Sequence, residues 1–199
     1  MSHQHDGNCS CDSSPTVATD PAELERLFAD NLRSRAQTYL TPEHAPIARQ
    51  MLVAARSLLA LHDGLNGEKL VWLLVAEAHL PMLDGKTEDA LKTFQAALDI
   101  AEKSVGEDHL GTAVCAINIA DTLLELNRGK EAKPLYERAH AIFLKVAAEY
   151  KGKDEYLSKF AEDGSALALL GSEVAQDSLA PADDSSAKPA EKPADEPKK

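Results

Sequence analysis

Apolar residues recur at intervals of three and four along most of the chain, which is the spacing of one face of an α-helix. The first such run is Leu24, Leu27, Phe28 and Leu32. Asp20 followed by Pro21 is a typical helix start just before that run. Together with the Gly and Pro breakers, the pattern predicts seven helices. The first begins at about residue 20, and the others have the approximate ranges 41 or 45–62, 68–82, 87–105, 108–126, 130–150 and 154–170. Pro81 is expected to end or kink the third helix.

The composition favours the same all-α fold class. Hydrophobic residues make up 44% of the chain and aromatic residues only 5%, so Leu, Ala, Ile and Val must build the core. Leu and Ala are also good helix formers. Residues 20–172 are predicted to form one helical repeat domain. Residues 1–19 and the acidic, Pro-, Ala- and Lys-rich residues 173–199 are predicted to be disordered tails.

Residues 70–106 and 112–148 resemble each other when one stretch is shifted by 42 positions. The matched pairs are Ala78–Ala120, Ala90–Ala132, Phe94–Tyr136, Ala97–Ala139, Ile100–Ile142 and Lys103–Lys145. Small residues meet small ones and aromatic residues meet aromatic ones, so the pairs agree in packing role. Because one helix pair cannot cover its own apolar face, we predict that successive pairs stack.

A further shift by the same distance gives a weaker match at the start of the chain. There, Ala48, Leu52, Ala55 and Leu58 fall on Ala90, Phe94, Ala97 and Ile100. Residues 21–62 are therefore predicted to be a degenerate first repeat. The predicted domain thus contains about three helix pairs, with the seventh helix as a cap. This number of pairs is near the minimum for a stable stack.

The stretch from Gly106 to Ile142 resembles the tetratricopeptide repeat and is most similar to the 42-residue kind found in kinesin light chains. The resemblance is carried by Gly106-Glu-Asp-His109, by Ile117-Asn-Ile-Ala120 and by Gly129-Lys-Glu-Ala132-Lys-Pro-Leu-Tyr136-Glu-Arg-Ala139-His-Ala-Ile142. It implies a right-handed, tetratricopeptide-like solenoid of about three antiparallel helix pairs. It also implies that a partner peptide or helix binds in the concave groove lined by the first helix of each pair. The motif is specific for fold but not for function.

The resemblance further implies which residues face that groove. In the kinesin-light-chain kind, an asparagine just before the Leu-Ala of the first helix often contacts the backbone of the bound peptide, and Asn118 holds that place. The places of the Lys and Asn clamp of the chaperone-binding subgroup are filled by Val75, His79, Ile117 and Asp121. A clamp for a C-terminal carboxylate is therefore not expected. These five residues are the predicted partner contacts, and Asp121 favours a neutral or basic, partly apolar ligand.

Phe94, Tyr136, Trp72 and Asn118 could each bind a ligand, but each also has an explanation that needs no ligand. Phe94 and Tyr136 recur with the repeat, so core packing is predicted for them rather than ligand binding. Trp72 is predicted to pack against the preceding pair rather than to anchor a partner. For Asn118, a ligand contact and an ordinary exposed polar residue remain open alternatives.

Net charge and targeting features limit which partners and which cellular compartment are expected. The net charge of −12 disfavours nucleic acid and anionic membranes as partners. The longest uncharged apolar run, Leu70–Ala76, is far shorter than the ~20 residues of a membrane span, and no secretory signal is recognisable. Cys115 lies in an apolar helical pattern and is predicted to be a small core residue. We expect a cytoplasmic protein, and the sequence does not predict its oligomeric state.

The N-terminal tail contains four residues of types that bind metal ions: His3, His5, Cys9 and Cys11. Imidazole and thiolate are ligands of zinc and copper. Their spacing is not that of a standard zinc finger. Two alternatives stay open: a low-complexity tail with no cofactor, or a zinc or copper site.

Partner binding is the leading functional hypothesis, in which the protein acts as an adaptor or assembly factor. A metal-handling protein that uses the N-terminal His/Cys segment is one alternative, and a constitutive structural subunit of a larger complex is another. An enzyme is not expected. The sequence contains no Gly-rich phosphate loop and no H-E-x-x-H or G-x-S-x-G motif, and His79 and Asp121 have no recognisable nucleophile beside them.

Overall fold

The computed structural model describes residues 20–62 and 67–178. These residues form the helices α1 (Pro21–Thr38), α2 (Ala45–His62), α3 (Gly67–Leu83), α4 (Thr87–Ser104), α5 (Leu110–Glu125), α6 (Gly129–Tyr150) and α7 (Glu155–Asp177). They contain no strand, so the all-α prediction is confirmed. The chain divides into two compact units, and the boundary between Cys115 and Ala116 lies inside α5.

Helix starts follow the capping and proline rules used to predict them. The Asp20 carboxylate accepts a hydrogen bond from the Ala22 N–H at 3.0 Å, and Pro21 is the first residue of α1. α2 begins at the later of the two predicted starts, which places Pro46 in its first turn, where a missing N–H costs nothing. Pro81 lies within the last turn of α3, which ends two residues later.

The two matched repeats share one turn between their helices. Gly85 (φ 71°) and Asn127 (φ 59°) both have a left-handed backbone and lie 42 residues apart. In each turn the N–H of this residue bonds the carbonyl three residues back, at 3.0 and 2.9 Å. The next N–H bonds the carbonyl five residues back, at 2.8 Å in both. This pattern closes a helix C-terminus, and its recurrence shows that the repeat seen in the sequence is also a structural repeat.

Small side chains lie where helices approach each other, as the repeat predicts. The matched alanines are all fully buried: Ala78, Ala90 and Ala97 in the first unit, and Ala120, Ala132 and Ala139 in the second. Phe94 and Tyr136 are each only 1% exposed, which confirms their predicted core role. Ala48, Leu52 and Ala55 of the degenerate first repeat are buried as well.

In the first unit, α1, α2 and α3 share one apolar core. Its fully or nearly buried members are Ala29, Ala36, Ala48, Leu52, Ala55, Leu59, Leu70, Leu73, Ala76 and Leu80. Two ion pairs fix α2 to the α3 side of this core. Arg56 binds the Glu77 carboxylate through two nitrogens, and Arg49 binds Asp84 at 2.6 Å.

In the second unit, α7 packs along α6 mainly through small residues. Its buried residues are Ser158, Ala161, Ser165, Ala168, Ser172 and Ala175. Two glycines add to this face. A Cβ at Gly164 would lie 2.7 Å from the Phe143 ring, and one at Gly171 would lie 2.6 Å from Cζ of Tyr136, distances that real Cβ atoms do not show. The two aromatic rings of α6 therefore occupy the space that side chains at these glycines would fill.

The end of α7 corrects the sequence prediction. We predicted a stop near Leu170 and a disordered tail from residue 173, but α7 continues to Asp177, so the prediction is wrong for residues 173–177. Gly171 does not act as a stop because it lies in the helical contact with Tyr136. Ser172 and Ala175 continue the buried small-residue face by one more turn, and the first proline of the tail comes only at position 181.

Candidate partner-binding site

Asp121 lies on the exposed side of α5 and holds an aromatic ring of α6. The Tyr136 hydroxyl donates a hydrogen bond to the Asp121 carboxylate, while the ring itself is buried. Burial, the hydrogen bond to Asp121 and the negative charge of that carboxylate all raise the pKa of the Tyr136 phenol. The phenol therefore stays protonated and keeps the carboxylate oriented.

His79 has the equivalent position on α3 and also contacts an aromatic ring. Its Nδ1 lies 2.7 Å from the Val75 carbonyl oxygen, so that nitrogen carries the proton and donates. Its ring meets Phe94 edge to face, with centroids 5.1 Å apart.

The two contacts are related by the 42-residue repeat. His79 corresponds to Asp121, and Phe94 corresponds to Tyr136. Phenylalanine has no hydroxyl and meets a histidine edge, whereas tyrosine has one and meets a carboxylate. Both predicted groove residues thus support a core ring from outside. In each repeat, the ring and the residue that supports it recur together. The sequence prediction compared positions one at a time and therefore missed that each groove residue is paired with a ring.

The other three predicted contacts differ in how much surface they offer. Asn118 is half-buried on α5, one helical turn before Asp121, so that the two side chains lie on neighbouring parts of one face. Val75 and Ile117 are only 4% and 7% exposed, so little of either side chain is open to a ligand in this conformation. Within the two units, the structure therefore brings together Asn118 with Asp121 on α5, and His79 with Val75 on α3.

Trp72 and Cys115 are accounted for by local contacts and burial. The half-buried Trp72 donates from its indole nitrogen to Glu68 of the same helix at 3.0 Å. Cys115 is fully buried, as predicted, and burial raises the pKa of its thiol to about 12. Such a thiol is almost entirely protonated at neutral pH and is a poor nucleophile.

The predicted metal ligands cannot be placed. His3, His5, Cys9 and Cys11 lie outside the described residues. Within residues 20–62 and 67–178, no group of three or more His, Cys, Asp or Glu side chains is arranged to hold a metal ion. These same residues form no helix with the length and hydropathy to span a membrane.

Comparison with known families gives this geometry a context. The family model described as tetratricopeptide repeat matches residues 71–145. Residues 71–145 are tetratricopeptide repeats. The matched segment runs from α3 into α6, and it includes both copies of the left-handed turn and both aromatic contacts. It leaves out α1, α2 and α7, in agreement with the weaker repeat pattern at the start of the chain.

Two further comparisons add little to the family match. No curated protein sequence matches the chain significantly. Among solved structures, the crystal structure of BtubC (BKLC) from P. vanneervenii is similar over 80% of this chain and 84% of that chain, with 12% identity and a TM-score of 0.37. That score is too low to support an argument, so the assignment rests on the family match and on the recurring turn.

Proposed function

We propose that the protein is an adaptor or assembly factor that binds a segment of another protein through its helical repeats. The observation that supports this proposal is the tetratricopeptide repeat match over residues 71–145, since such repeats generally mediate protein–protein interaction. Fold alone does not specify a partner. The partner's chemistry has to be inferred from the surface of the repeat helices.

The exposed side of α5 suits an extended peptide or a helix end. The Asn118 amide supplies both a donor and an acceptor, which is what a peptide backbone requires. The Asp121 carboxylate is exposed, and the Tyr136 hydroxyl fixes its orientation. A fixed negative charge beside a backbone-binding amide favours a neutral or basic segment over an acidic one.

The same contacts favour binding over catalysis. The His79 proton on Nδ1 is donated to a backbone carbonyl, and its ring supports Phe94. The Asp121 carboxylate supports Tyr136. The thiol of Cys115 is buried and protonated. None of these groups has the arrangement of a nucleophile beside its base.

Site-specific photo-crosslinking in cells tests this proposal. A photoreactive residue is placed at position 118, and a matched control carries it at Gln95, which is exposed on α4. We expect a discrete crosslinked protein from position 118 and none from position 95. Crosslinking of the same set of proteins from both positions, or of none from position 118, would contradict the proposal.

Two substitutions then separate hydrogen bonding from charge at the same surface. Asn118→Ala should weaken binding of the captured partner about fivefold, which corresponds to the loss of one hydrogen bond of about 1 kcal/mol. Asp121→Asn keeps an acceptor for the Tyr136 hydroxyl but removes the charge, so it should weaken only a basic partner. Gln95→Ala should change nothing. Unchanged affinity in both α5 variants would remove this face of α5 from the proposal.

A further inference from the structure

α7 has two opposite faces of unusual composition. One face consists of Ser, Ala and Gly and packs on α6. Five large apolar residues lie on the other side: Tyr156 (82% exposed), Phe160 (42%), Leu167 (56%), Leu170 (59%) and Val174 (57%). Their spacing of three, four or seven residues places them in one stripe along the helix. We call these five residues the α7 stripe.

The α7 stripe is not needed to hold α7 in place. Ser158 donates to the Ala147 carbonyl at 3.2 Å, and Ser165 lies 2.9 Å from Nδ1 of His140. Together with the glycine contacts, these bonds attach the opposite face to α6. The stripe is interrupted once, by Asp163 between Phe160 and Leu167, and its three C-terminal members follow each other at spacings of three and four. Exposed large apolar side chains grouped in this way are typical of an interaction surface.

Acidic residues lie along one edge of the α7 stripe, and one of them, Asp163, lies within the stripe. The charged residues of α7 are Glu155, Lys159, Glu162, Asp163, Glu173 and Asp177, which gives five carboxylates and one ammonium group. Lys159 lies 2.8 Å from Asp163 and 3.9 Å from Glu162, so it is engaged with two of them. Within the described part of the chain, the other three carboxylates make no ion pair.

We propose that the α7 stripe docks an amphipathic α-helix of another protein whose apolar face is bordered by Lys or Arg. This inference rests on the proposed protein-binding function but assigns a second surface, separate in sequence from the α5 contacts. Large apolar side chains supply the buried contact, and the carboxylates of the acidic edge select a cationic partner.

Neither end of this chain suits the α7 stripe as its occupant. Residues 1–19 contain Met1 and Val17 as their only large apolar residues, and residues 179–199 contain only Leu179. Four prolines in the second segment also disfavour a long amphipathic helix there. A second copy of the protein would bring another acidic α7 against the first, and like charges at an interface are unfavourable.

The proposal can be tested with peptides that match α7 in length, 23 residues. Three fluorescein-labelled amphipathic helices share one Leu face and carry Lys, Gln or Glu along its edges. Binding to the full-length protein is followed by fluorescence anisotropy at several salt concentrations. We expect the Lys peptide to bind at least about tenfold more tightly than the Glu peptide, and this preference to fall with salt.

Variants show whether the α7 stripe is the surface that binds. Leu167→Gln with Leu170→Gln keeps the charge and suits a helix, so circular dichroism should be unchanged while Lys-peptide affinity falls at least about tenfold. Leu61→Gln, at a 73% exposed position on α2, is the matched control and should bind normally. Neutralising Glu155, Glu173 and Asp177 to the amides should reduce the salt dependence.

Three results would overturn this assignment. These are unchanged affinity in the double Leu variant, equal binding of the Lys and Glu peptides, and a dimer in sedimentation velocity that the double Leu variant dissociates. The last result would make a second copy the occupant. If the α7 stripe fails while crosslinking from position 118 succeeds, the proposed function stands and only this surface is wrong.

Discussion

Replacing Gly171 by Ala tests the close approach of α7 to α6. In an ordinary helix this change stabilises, because Ala is the better helix former by about 1 kcal/mol. Here the new methyl group would lie 2.6 Å from Cζ and 2.7 Å from Cδ1 of Tyr136. The ring cannot turn away easily, because it is 1% exposed and its hydroxyl is bonded to Asp121. The helix or the ring must therefore shift.

The net effect follows from two opposing terms. Overpacking costs about 1–3 kcal/mol, and contacts this close to a fixed ring belong to the upper part of that range, about 2–3 kcal/mol. The gain in helix propensity offsets about 1 kcal/mol. Since the ring is held at both ends, we expect Gly171→Ala to lower the free energy of unfolding by about 1–2 kcal/mol. In a Tyr136→Leu background the ring is absent, so the same change should raise the free energy of unfolding by up to about 1 kcal/mol.

Urea unfolding followed by circular dichroism at 222 nm measures all four proteins of this double-mutant cycle. The expected coupling energy between the two positions is about 2–3 kcal/mol, large for a pair in direct contact. If Gly171→Ala stabilises the parent protein, or has the same effect in both backgrounds, the reasoning about this contact is wrong. The two single variants also serve as controls for effects on helix α7 or on the ring alone.

Two further predictions concern the recurring turn and the buried thiol. Asn127→Gly should raise the free energy of unfolding by up to about 1 kcal/mol in urea melts, whereas Gly85→Ala should lower it by about 1–2 kcal/mol, because only glycine adopts the left-handed backbone without cost. In a variant with Cys9→Ser and Cys11→Ser, Cys115 should react with a thiol reagent at least about a thousandfold more slowly in the native protein than in urea. Equal rates would show that Cys115 is accessible.

Local sequence rules predicted most of the helices because their signals are local. The Asp20 cap and Pro21 at the first helical position act within one helical turn. The 42-residue repeat added information of another kind, because it compares packing roles between distant positions. From the sequence alone it identified the buried alanines and the aromatic pair Phe94 and Tyr136.

The sequence prediction failed where a distant partner decides the outcome. Gly171 looks like a helix stop when only its neighbours are considered. However, the ring of Tyr136, thirty-five residues earlier, occupies the space that a side chain at position 171 would need. The buried face of α7 was also not predicted from the sequence, and that face is built mainly from Ser, Ala and Gly. Periodicity finds a face of a helix, but the size of the neighbouring side chains decides which face is buried.

The same division predicts that binding at the α7 stripe and stability can be changed separately. Phe143 and Tyr136 of α6 provide the large side chains of the α6–α7 contact, so α7 needs only small ones there. The five large apolar residues of the α7 stripe stay 42–82% exposed. A substitution in the small face should therefore change the free energy of unfolding, whereas one in the α7 stripe should change affinity and leave stability nearly intact. A variant of Leu167 that unfolds the protein would contradict this separation directly.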